Sequence, residues 1–137
     1  MKFSLLRRTD LAIGALRALA ESGTRMRAGD LGQRIGASPG FVPQVMAPLT
    51  KAGWVDSRRG PTGGYRVQVS LDEISVLEVI EAVEGPVDTT TCVLRGGPCG
   101  SSELCSVHFP VQEARTALLD RLASVPVDSK NYEEPAK

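Results

Sequence analysis

Between Asp30 and Val69 the chain reads DLGQRIGASPGFVPQVMAPLTKAGWVDSRRGPTGGYRVQV, and the order of patterns in it leaves few folds open. Leu31 and Ile35 make a short amphipathic helix that Gly36 ends. The stretch IGAS is a break, after which Ser38 can cap a second helix with Pro39 at its first position. That helix carries Phe41, Val42, Val45, Met46 and Leu49 on its apolar side and closes at Gly53. Pro43 falls in its first turn and is tolerated there, whereas Pro48 is expected to kink or shorten it. Two short helices joined by a glycine-containing turn form a helix-turn-helix. The residues that follow alternate. Trp54, Val55 and Ser57 lead into RRGPTGG, and Tyr65, Val67 and Val69 lead out, which reads as a hairpin with a Gly/Pro turn. A helix-turn-helix running straight into a basic hairpin is the layout of a winged helix.

The flanks supply the rest of the fold. Leu11, Ala12, Ala15, Leu16 and Leu19 share one face of a helix from about Thr9 to Ser22, with Asp10 in its first turn and Gly23 as its stop. Residues 72–84, DEISVLEVIEAVE, predict another helix, stopped by Gly85-Pro86. From Pro110 onward, Val111, Ala114, Ala117, Leu118, Leu122 and Val125 recur at three-and-four spacing. A stripe of this kind must bury against something, and little of a 137-residue chain remains to cover it. A partner subunit is therefore expected along it, fold-back on the same domain being the alternative. The fold class is mostly α with a small β-hairpin wing. It divides into a winged helix-turn-helix domain (1–85), a cysteine-rich loop (86–109), a dimerisation helix (110–126) and a disordered tail (127–137).

Charge points to a partner. Residues 1–70 hold eleven Lys or Arg against four Asp or Glu, and residues 71–137 hold five against twelve. The net zero thus conceals a basic front half, suited to a polyanion such as DNA, and an acidic back half. The N-terminus lacks the apolar run of a signal peptide, and the longest apolar stretches fall short of a bilayer. A cytoplasmic location follows, and there three cysteines are expected as thiols or metal ligands rather than a disulfide framework.

TDLAIGALRALA, LTKAGWVDSRRGPTGGY, EISVLEVIEAVEG and three cysteines before a long helix together resemble the Rrf-type bacterial regulators, the family of IscR, NsrR and RirA. The wing segment is the most specific piece, and the likeness runs from residue 4 to about 125. The resemblance implies a homodimeric winged helix-turn-helix protein on a palindromic DNA operator. It also implies control of that binding by an iron–sulfur cluster in each subunit.

All three cysteines and the single histidine lie within residues 92–108, as C-x6-C-x5-C-x2-H. Thiolates are the usual ligands of iron–sulfur clusters, and a cluster tolerates wider ligand separations than a zinc knuckle does. Gly96, Gly97 and Gly100 let the backbone bend so that Cys92, Cys99 and Cys105 can converge. A fourth position is left open. His108 resembles the IscR arrangement, and Asp10, in RTDLA, resembles an NsrR-like N-terminus whose aspartate reaches a partner's cluster. Pro110 disfavours a helical Phe109 and so bears on the geometry at His108. The cofactor read here is a cluster of the 4Fe–4S or 2Fe–2S type, with zinc or free redox-active thiols as alternatives.

For DNA, Ser38 and the backbone around it can hold a phosphate and Gln44 can reach an adenine edge, while Gly40 contributes no side chain and Pro43 removes a polar contact, so base reading by this helix is expected to be sparse. In the wing, Arg58, Arg59, Gly60, Thr62 and Gly63 are the candidates, with Arg59 singled out by resemblance for the minor groove. Phe41, Leu49 and Trp54 read as core. No substrate-site motif is present, so an enzyme is not expected. The function read from the sequence is DNA-binding regulation, as a repressor, with the cluster sensing nitric oxide, redox state or iron.

Overall fold

A computed structural model describes residues 2–99 and 103–128. Five α-helices and one hairpin follow in the order α1 (Arg7–Ser22), α2 (Ala28–Ile35), α3 (Val42–Lys51), β1 (Val55–Arg58), β2 (Gly64–Val67), α4 (Val76–Glu84) and α5 (His108–Ser124). A single 3-10 turn, Leu71–Glu73, precedes α4.

The centre is α1. Ala12, Ala15, Leu16 and Leu19 are fully buried on it, and α2, α3 and α4 pack around that face with Leu31, Val42, Met46, Leu49 and Val79. Alanines let neighbouring helices approach closely, and the leucines fill the gaps between them. Gly23 ends α1 in the left-handed region, its N–H donating to the Leu19 carbonyl at 3.1 Å, as a glycine after the last turn should. The start of α1 is capped from a distance. The Glu84 carboxylate, at the end of α4, accepts from the Leu6 N–H at 2.7 Å and from the buried Thr9 hydroxyl.

The turn between α2 and α3 differs from the expected cap. Ser38 does not cap α3, which begins at Val42. The Ser38 carbonyl accepts from the N–H groups of Phe41 and Val42, so residues 38–41 make a turn that holds Pro39 and Gly40 ahead of the helix. Pro43 lies in the first turn, where its missing N–H costs nothing. Pro48 does not shorten α3, which continues to Lys51. Burial of Val45, Met46 and Leu49 outweighs the proline penalty of about 3 kcal/mol. Gln44, whose carbonyl loses its usual donor, is exposed and can be hydrated.

In the wing β1 and β2 are antiparallel, Val55 opposite Val67 and Arg58 opposite Gly64. Met26, in the α1–α2 connection, exchanges both backbone hydrogen bonds with Tyr65 and adds a one-residue third strand. The helix expected over 72–84 starts only at Val76. Ile74 is extended, and Ser75 caps α4 in a reciprocal box with Glu78. That S-x-x-E signature was present in the sequence and sets the true start. The last helix starts at His108 rather than Pro110. Phe109 is helical because Pro110 sits in the first turn, where no N–H is needed.

No residue of α5 is fully buried. Its end nevertheless returns to the first domain. Leu122 and Val125 pack on Val76 and Ile80. Pro126 bridges Ser75, and Val127 donates to the Ile74 carbonyl at 2.9 Å. Val127, placed by the sequence at the head of a disordered tail, is wholly buried in the main core. Residues 129–137 of that tail lie outside the described residues.

Candidate metal centre and nucleic-acid interface

The loop between α4 and α5 brings the three cysteines together. The Sγ atoms of Cys92, Cys99 and Cys105 all lie within 4.8 Å of one another. Cys92 and Cys105 are buried, Cys99 partly so. The local cause is a tight turn after Cys92. The Cys92 N–H donates to the Gly97 carbonyl at 2.7 Å, and the Gly96 N–H returns to the Cys92 carbonyl at 3.2 Å. Gly96 holds φ +70, which a side chain would resist. Gly100 lies outside the described residues. Cys105 is fixed from the other side, its carbonyl accepting the His108 N–H at the head of α5.

The electrostatics suit a thiolate at one of the three. The Leu94 N–H, 3.4 Å from Cys92 Sγ, and then the Arg95 N–H bring the Cys92 thiol down to about 7. Burial pushes the Cys105 thiol up. A cation bound in the site would favour its thiolate. The donor set is therefore three soft, convergent, shielded sulfurs with backbone N–H donors around them. That is chemistry suited to iron, an iron–sulfur cluster or zinc.

Neither candidate for a fourth ligand joins the sulfurs within the chain, among the described residues. His108 lines the same small cavity as the cysteines, its ring edge-on to Phe109 at 5.3 Å. Asp10 is exposed in the first turn of α1.

Sequence reasoning missed the support beneath Cys92. Asp88 accepts hydrogen bonds from the N–H and hydroxyl groups of both Thr90 and Thr91. On the other face Arg115 donates to the carbonyls of Thr91 at 2.7 Å and Thr89 at 3.4 Å, and Gln112 adds Thr89 at 3.1 Å. An arginine about two turns into this helix carries no local signal of such a role.

The second surface faces outward. Ser38, Gly40, Gln44, Arg58, Arg59, Gly60 and Thr62 are exposed, whereas Gly63 is buried. A Cβ on Gly63 would lie 2.3 Å from the Arg58 carbonyl, so this residue shapes the wing turn. A groove of about 950 Å³ runs between α3 and the wing, with Arg27, Lys51, Arg58 and Arg59 along it. Arg58 Nε lies 3.3 Å from Asp56, and Arg25 binds the same carboxylate as well as the Gly64 carbonyl. Arg59 makes no ion pair among the described residues. Arg25 and Arg27, the latter bonded to the Pro61 carbonyl, are wing supports that the sequence reading overlooked.

Residues 5–129 match the Rrf2 family, described as "Iron-dependent Transcriptional regulator". The chain belongs to that family. IscR of Aliivibrio salmonicida is 43% identical over 79 residues, 58% of this chain and 46% of that protein. IscR of Pectobacterium carotovorum is 36% identical over 99 residues, 72% and 60% of the two chains. The chain thus spans about half the length of the curated relatives it matches. Among solved structures, CymR of B. subtilis superposes with a TM-score of 0.75 at 22% identity, covering 97% of this chain and all 100% of that one. IscR of T. potens does so at 0.68 and 23%, covering 93% and 86%. These likenesses bear out the winged-helix fold with its C-terminal helix. The family match also bears out the resemblance to the Rrf-type regulators. Rrf2 relatives are transcriptional regulators rather than enzymes. Among the described residues of this Rrf2 chain, no helix is long and apolar enough to cross a membrane.

Proposed function

We propose that this Rrf2-family chain is a cytoplasmic, DNA-binding repressor whose hold on a palindromic operator is set by an iron–sulfur cluster. The observation that carries the reading is the convergence of Cys92, Cys99 and Cys105 within 4.8 Å, in a loop poised against the last helix. Those three thiols are the ligands, completed by His108 or by Asp10 of the partner subunit. When bound, the cluster supplies iron that reacts with nitric oxide or oxidants, or is lost when iron is scarce. The chain's own residues then carry the consequence. The Cys105 carbonyl fastens the loop to the His108 N–H at the head of α5, and just beyond the end of that helix Val125 and Val127 pack into the winged domain. The unburied α5 supports a homodimer built along that helix. Two recognition helices held by such a seam must match half-sites about one DNA turn apart. Arg58, Arg59, Gly60 and Thr62 of the wing, Ser38 and Gly40 in the turn before α3, and Gln44 in its first turn face the duplex.

The test is anaerobic purification and reconstitution with ferrous iron and sulfide, followed by visible spectroscopy and DNA-shift assays. A brown protein with cluster absorption, and operator affinity that changes on exposure to nitric oxide or air, is expected. A colourless, iron-free product after reconstitution ends this reading. Asp10→Ala and His108→Ala, compared side by side, identify the fourth ligand by which one changes the spectrum.

One observation favours a second reading, a cluster-free regulator of the same fold using structural zinc or thiol redox chemistry. Two sulfurs bound to one zinc at about 2.3 Å each can be at most about 4.6 Å apart. The three sulfurs lie within 4.8 Å of one another, so a single ion could gather them with little movement of the loop. Metal analysis decides: about one zinc per chain, without iron, supports it.

A further inference from the structure

The segment leading into Cys92 is held on both faces. Its N–H and hydroxyl groups turn inward to Asp88, while its carbonyls at Thr89 and Thr91 turn outward to α5. Arg115 takes both carbonyls with one guanidinium, from a position two turns beyond His108. It also lines the cavity that the three sulfurs share. The residue after Thr91 is Cys92 itself, so a shift of the Thr91 carbonyl moves the first ligand directly.

We propose that Arg115 is a positioning residue for the thiol centre: by clamping the Thr89 and Thr91 carbonyls to α5, it sets Cys92 against Cys99 and Cys105 before any metal arrives. This inference deepens the metal reading above and rests on it. The physical argument is preorganisation. A loop that must order its ligands on binding spends binding free energy on that ordering, whereas a clamped one does not. A guanidinium suits the task because its planar fork serves two carbonyls at once, which a lysine ammonium on a flexible stem does less well. Gln112 reinforces one of the two carbonyls only.

The test uses the full metal-free chain and has two readouts. In the first, amide hydrogen exchange is compared for wild type, Arg115→Ala, Arg115→Lys and Arg121→Ala, the last an exposed arginine on the same helix. Exchange in residues 90–97 should accelerate in Arg115→Ala, less in Arg115→Lys, and not at all in Arg121→Ala. In the second, cobalt(II) is titrated and thiolate-to-cobalt absorption is followed. Arg115→Ala should weaken affinity about 10–100-fold, the range for residues that orient metal ligands, with partial recovery in Arg115→Lys. Wild-type exchange in Arg115→Ala overturns the clamp. Faster exchange with unchanged cobalt affinity overturns its importance for the ligands. If wild-type protein gives no thiolate–cobalt band, the metal reading fails instead, and the exchange readout still decides whether Arg115 holds the loop.

Discussion

Arg17 Nε and the Val127 carbonyl, separated by 110 positions of sequence, meet at 2.8 Å. This bond joins the central helix α1 to the chain just beyond α5. Val127 is fully buried at the same point and donates to Ile74. The segment that leaves α5 is thus built into the core of the winged domain.

Burial rather than the hydrogen bond should dominate that anchor. Val127→Ala is expected to cost about 2 kcal/mol and lower Tm by several degrees. Arg17→Met should cost less. It removes one bond, but also a guanidinium nitrogen that is buried without a partner among the described residues. Chemical denaturation of the two variants checks the order. A larger loss for Arg17→Met would mean that the polar contact carries the anchor.

Acid should loosen the wing and the cysteine loop. Hydrogen bonding from Arg25 holds the Asp56 carboxyl below its ordinary value of 3.8, and the Thr91 and Thr90 donors hold Asp88 well below the same value. Each folded pKa lies below the unfolded one. The stability they add is therefore fully present above the unfolded value and is lost as pH falls through the folded one. Melting temperature is expected to decline below about pH 4. Asp56→Asn should flatten part of that decline and Asp88→Asn another part, measured by thermal melts at a series of pH values.

Glycine 64 is a point where the wing touches the α1–α2 connection. Its φ is +123, and a Cβ would lie 2.2 Å from the Met26 carbonyl. Gly64→Ala should destabilise by more than about 1 kcal/mol, since both conformation and space oppose it. Gly40→Ala meets nothing within 4 Å and should leave stability unchanged. Circular-dichroism melts of the pair separate a glycine that the fold requires from one that it does not.

How much of this was legible follows from the range of each signal. The apolar stripe of α1 and the alternation on either side of RGPTGG are local, and both were readable. Ser75-x-x-Glu78 is equally local, but the helical stripe of residues 72–84 begins ahead of it and hides it as the start. Other features have no local trace. Ser38 looks like a cap, but a turn through Pro39 and Gly40 takes its place. Val127 looks like tail, but its burial depends on Ile74 and Arg17, far away in sequence. At the candidate site the thiols were evident from spacing. Arg115 was not, because its acceptors are backbone carbonyls, which any sequence supplies.

The wing arginines should divide unequally in DNA binding. Arg58 shares Asp56 with Arg25, so part of its charge is already answered within the protein. Arg59 is exposed beside it and makes no ion pair among the described residues. An unpaired guanidinium at a hairpin tip gives up less when it meets a phosphate or a narrow minor groove. Arg59→Ala is therefore expected to weaken operator binding more than Arg58→Ala. If Arg59 reaches the backbone, the salt dependence, log K against log salt, should become shallower by about 1. Both variants should keep the wild-type melting temperature, which separates lost contact from lost fold. Fluorescence anisotropy with an operator duplex at several salt concentrations measures both quantities. Equal losses for the two variants would show that the Asp56 pair does not hold Arg58 back, and unchanged affinity for Arg59→Ala would remove the wing tip from the interface.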